Sequence, residues 1–91
     1  MSLDNKDLIE RIMKKGKKTA FLLIEHREWN KIENADTKLW NKIEYAKNYS
    51  KSNEATIKFG DSIEIILACK HKPPENILSI LKAQDVKLKV I

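Results

Sequence analysis

One cysteine in 91 residues, Cys69, excludes an internal disulfide framework. Glycine and proline are scarce too, two of each, which leaves little room for long irregular loops. Of eighteen basic residues only Arg11 and Arg27 are arginine. The planar guanidinium fork that reads phosphates and base edges is therefore nearly missing, and positive charge comes as lysine point charges. The longest uninterrupted apolar runs, residues 20–24 and 65–69, are far too short to span a bilayer. No basic-then-apolar leader opens the sequence. With the lone cysteine, these features predict a cytoplasmic protein with no membrane partner. Internal repeats, low-complexity tracts and composition breaks are missing as well, so residues 1–91 are expected to form a single small α/β domain. No catalytic signature, metal-ligand motif or multi-glycine phosphate loop stands out, and nothing calls for a cofactor.

What remains is a globular composition, 42% hydrophobic and 34% charged. A chain of this length buries roughly 60–65% of its unfolded surface, a thin but real core. The net charge of +5 and a pI near 9.4 make acidic partners available. A composition rich in lysine, isoleucine and asparagine is also what an AT-rich genome produces.

Residues 4–15 read as an amphipathic helix, capped by Asp4 or Asn5, with Leu8, Ile9, Ile12 and Met13 as its stripe and Gly16 as its stop. Thr19 to Glu25 reads as a strand covered on both faces, because its apolar run does not alternate. A helical stretch follows over about 28–49, with a break expected at Asp36-Thr37. Residues 56–59 and 62–69 read as a hairpin around Gly60-Asp61. Pro73-Pro74 opens a helix bearing Ile77, Leu78 and Leu81. Val86, Leu88 and Val90 alternate with Lys87 and Lys89, which suits an edge strand with one wet face.

The predicted order is a helix followed by β-α-β-β-α-β, the split arrangement of ferredoxin-like folds, whose antiparallel sheet has strand order 4-1-3-2. The alternative is a mixed, Rossmann-like sheet in a three-layer domain, with 19–25, 62–69 and 86–91 parallel. The choice decides which residues meet. In the antiparallel order Lys14, Lys15, Lys17 and Lys18 share one edge with Lys70 and Lys72, a patch able to neutralise several phosphates. The bland account of these lysines is helix-end complementation and solvation. In the parallel order His26, Cys69 and His71 gather at the carboxyl ends of strands, where a thiolate and imidazoles suit zinc or a nucleophile–base pair. More often such residues are a buried cysteine and two surface histidines. Glu25-His26-Arg27-Glu28 offers a Glu-His pair for acid–base work, though a dense charged run at a strand end is commonly structural. Trp29, Trp40, Tyr45 and Tyr49 have helical spacing and read as core. The expected function is a non-catalytic binding or assembly module that contacts nucleic acid through the lysine edge. The alternatives are a homo-oligomeric regulatory domain, such as a homodimer, that binds a small ligand, and a small enzyme using Glu25, His26, Cys69 and His71.

Overall fold

Gly16 decides how the sheet begins. The computed structural model describes residues 2–60 and 62–91. In it, strands β1 (Arg11–Lys15) and β2 (Lys18–Glu25) form an antiparallel hairpin with Lys15 paired to Lys18. Gly16 has φ +60°, while Lys17 does not take a positive φ. A glycine with positive φ at the first central position alone is the pattern of a type II′ turn, whose twist matches that of the flanking strands. The expected helix over 4–15 is thereby corrected. Its first part, residues 4–10, is turn and irregular backbone, and its second is β1.

A single 3-10 turn (Trp29–Lys31) precedes helix α1 (Ala35–Ser50). The break lies at 32–34, slightly before the expected one, and Asn34 sits there in the left-handed region, φ 54°. Helix α2 (Asn53–Phe59) occupies the segment read as the first arm of a hairpin. Local signals explain the correction. The Ser52 hydroxyl accepts the Ala55 N–H at 3.1 Å, an N-cap, and Lys58 pairs with Glu54 one turn back at 3.1 Å. Gly60, at φ +77°, ends the helix instead of turning a hairpin; Asp61 lies outside the described residues. Strand β3 (Ile63–Cys69), helix α3 (Glu75–Ala83) and strand β4 (Lys87–Val90) complete the chain, close to where the sequence places them.

Among the described residues the fold is thus a mixed α/β domain with a four-stranded sheet in the order β1-β2-β3-β4 and three α-helices. Only β1 and β2 are antiparallel; β2, β3 and β4 run parallel. The antiparallel ferredoxin-like sheet is not what forms. Once 53–59 is helical, β2 reaches β3 through a helical crossover, and such a crossover returns the chain in the same direction. The parallel trio matches the Rossmann-like alternative, but three layers do not form. Helices α1 and α3 pack against each other on one face, and Phe59 of α2 meets Phe21 edge-on at 5.6 Å on that same side. The core lies between: Phe21, Leu23, Ile65 and Leu67 of the sheet against Leu39, Ile43, Ile77 and Leu81 of the helices.

Buried charges tie residues 2–10 to this helix side. The Lys42 ammonium is fully buried and donates to the carbonyls of Asn5 and Leu8 at 2.7 and 2.9 Å, to Ser2 at 3.2 Å, and to Glu10 Oε2 at 2.6 Å. Glu10 Oε1 also accepts the Ile24 N–H at 2.8 Å, standing in for a strand carbonyl just beyond β1. Glu25, 1% exposed, accepts the Leu3 N–H at 3.0 Å and a fork from Arg27 at 2.8 and 3.1 Å. Leu3 is thereby held fully buried in the core.

Candidate functional site: the open face of the sheet

Side chains paired directly across neighbouring strands share a face. On the side away from the helices, one row across the sheet reads Arg11, Leu22, Ile66, Lys87. The next rows read Met13, Ala20, Glu64 and Ile24, Ala68, Lys89, and Lys15 beside Lys18 closes the face at the hairpin end. Leu22 and Ala68 are buried, yet neither belongs to the core cluster. Met13, Ala20, Ile24 and Ile66 are half-buried, whereas Arg11, Lys15, Lys18, Lys87 and Lys89 are exposed.

The open face is therefore an apolar strip on the two central strands, framed by cations. Its one carboxylate is Glu64, which Lys87 Nζ meets at 2.7 Å. The Lys87 hydrogen bond holds the Glu64 carboxyl below its ordinary range, and the charges of Lys18 and Lys15 add to that effect. A groove in this face is lined by Met13, Lys15, Lys18, Ala20, Glu64 and Ile66.

The six lysines expected to share one edge do not. In the parallel sheet, Lys14, Lys15, Lys17 and Lys18 surround the hairpin turn, while Lys70 and Lys72 follow β3 at the other end. The seven steps of β2 from Lys18 to Glu25 separate the groups, roughly 23 Å at the rise of a strand. Within the first group Lys15 and Lys18 face the open side. Lys14 pairs across to Thr19 on the helix side, with its ammonium 5.7 Å from the Phe59 ring centre. The wet face expected for the last strand is real, since Lys87 and Lys89 lie on it.

The parallel register does bring the loops after β2 and β3 to one end of the sheet, with Glu25 paired to Cys69. Their side chains do not assemble a site. Cys69 is fully buried on the helix side, where burial and the Glu25 charge both push its thiol up and keep it protonated. Burial pushes the Glu25 carboxyl up as well, but the Arg27 hydrogen bonds and the Leu3 and Arg27 amides outweigh it and leave the group below its ordinary value. Its partners are these groups and not His26. His26 is exposed and lines a shallow depression with Lys70 and Ile91. His71 lines a separate one beside Trp29, whose indole N–H donates to the His71 carbonyl at 2.9 Å. Glu28 pairs with Lys31 at 3.2 Å. Among the described residues, no group of three or more His, Cys, Asp and Glu is placed to hold a metal ion. None of the helices there is long and apolar enough to cross a membrane.

Sequence reading missed Arg11 and the apolar strip as members of one surface. The available signal was Gly16, a glycine placed to open a two-residue turn between residues 11–15 and 18–25. No family model, curated protein or solved structure matches the chain.

Proposed function

We propose that this chain is a non-catalytic binding module that engages an anionic partner through the open face of its sheet. The observation that carries the reading is the cross-sheet row of Arg11, Leu22, Ile66 and Lys87: cation, apolar, apolar, cation. An apolar centre with a charged rim is how recognition surfaces are built, the centre giving affinity and the rim giving orientation and on-rate. The buried thiol and the fully engaged Glu25 supply no competing chemical site.

A nucleic-acid backbone is the second reading, favoured by the four lysines that bracket the hairpin turn. In it, Lys14, Lys15, Lys17 and Lys18 contact phosphates, and Lys70 and Lys72, at the far end, take no part. Such binding is independent of base sequence and falls steeply with salt.

An amide NMR titration with a heparin oligosaccharide, at low and then moderate salt, tests the main reading. Shifts are expected at residues 11–24, 64–68 and 87–89, fading as salt rises. Shifts confined to the depressions at His26 and His71, or no binding at low salt, would overturn it.

A further inference from the structure

We infer that the occupant of the open face is an acidic amphipathic α-helix of a partner protein, an inference that rests on the proposed binding face and gives it a partner class. The dimensions agree. The outer strands β1 and β4 lie three strand spacings apart, roughly 14 Å. A helix with its side chains is about 10–12 Å across. Laid along β2 and β3, it sets its apolar stripe on the half-buried Ala20, Ile24 and Ile66. Carboxylates on its two flanks then reach Arg11 and Lys15 on one side and Lys89 on the other. Covering the length of β2 takes about fifteen helical residues.

Other occupants fit less well. A duplex would lay phosphates against the apolar strip, where desolvation without partners is costly. A single strand needs rings on which its bases stack, and no aromatic side chain stands on this face. A second copy, related by a two-fold axis, would set Arg11, Lys15, Lys18 and Lys89 against the same cations, with Glu64 already engaged by Lys87.

The test uses two synthetic peptides of identical composition, each about fifteen residues long. One places Leu and Ile at positions i, i+3, i+4 and i+7 with Glu on both flanks; the other has the same residues scrambled. The amphipathic peptide is expected to bind about tenfold or more tighter than the scrambled one, a difference of about 1.4 kcal/mol. Ile66→Thr and, separately, Arg11→Glu should each weaken it several-fold while leaving the circular dichroism unchanged. Arg11 is exposed, so its variant keeps the test alive if the Ile66 variant fails to fold. Equal binding of the two peptides, an oligonucleotide that displaces the amphipathic one at moderate salt, or a dimer that the peptide does not dissociate would each overturn the inference. If heparin still maps to the open face in those cases, the binding-module reading survives. If neither polyanion nor peptide reaches that face, both fail.

Discussion

On the helix side of the sheet, Leu23 and Leu67 are fully buried among Leu39, Ile43, Ile77 and Leu81. On the other side, Leu22, Ile24 and Ile66 share a face with the exposed cations of the outer strands and stand outside the core cluster. The same two strands thus carry apolar residues on both faces, but on the open face Ala20, Ile24 and Ile66 stay only half-buried. The helix side is also where buried charge is spent, with Lys42 and Glu25 holding residues 2–10 in place. The difference teaches that a continuous apolar run in a parallel strand records what must be covered, whether or not the chain itself supplies the cover.

The largest expected effect breaks the closed side. Lys42→Met leaves Glu10 buried without its partner and three carbonyls without their donor, and should cost about 3–5 kcal/mol in chemical denaturation, with exchange protection lost over residues 2–10. Next, Leu23→Ala opens a cavity in the core and should cost about 2–5 kcal/mol, whereas Ile66→Thr on the open face should cost clearly less. Equal losses from these two would erase the distinction between the faces. A smaller effect is set by pH. Because Glu25 titrates lower when folded than when unfolded, its contribution is present above the ordinary glutamate range and fades as pH falls through its folded value. Acid unfolding of Glu25→Gln should accordingly be less steep than that of the parent below pH about 4. The smallest effect sharpens the comparison from the other direction. Lys89→Glu, on the exposed rim, should leave the melting temperature nearly unchanged while reducing polyanion binding.

Much of the secondary structure is legible in the sequence, and one segment explains why the topology is not. The run 56–59, with Thr56, Ile57 and Phe59, has strand propensity. Read as a strand, it turns 62–69 antiparallel to 19–25. Ser52 as cap and Gly60 as stop make it a helix, and the direction of β3 reverses with it. That single change separates the two lysine groups and brings the loops bearing His26 and His71 to one end. Residues 4–15 fail for a different reason. Leu8, Ile9, Ile12 and Met13 fit a helical stripe locally, but the partners that shape this stretch are Lys42 and Ile24, distant in sequence. Local periodicity carries no record of such pairs. The cationic half of the site is readable in part: Lys15 and Lys18 belong to the predicted lysine edge, and Lys87 and Lys89 to the predicted wet face of the last strand. What joins them to Arg11 and the apolar strip is strand register, which only the assembled sheet supplies.

Methyl-resolved NMR of the protein with the acidic amphipathic peptide tests the central claim most directly. The account predicts that the Met13, Ile24 and Ile66 methyl signals shift on binding while those of Leu23, Leu67 and Leu81 stay in place. Shifts concentrated in the second group, with the first unmoved, would contradict it.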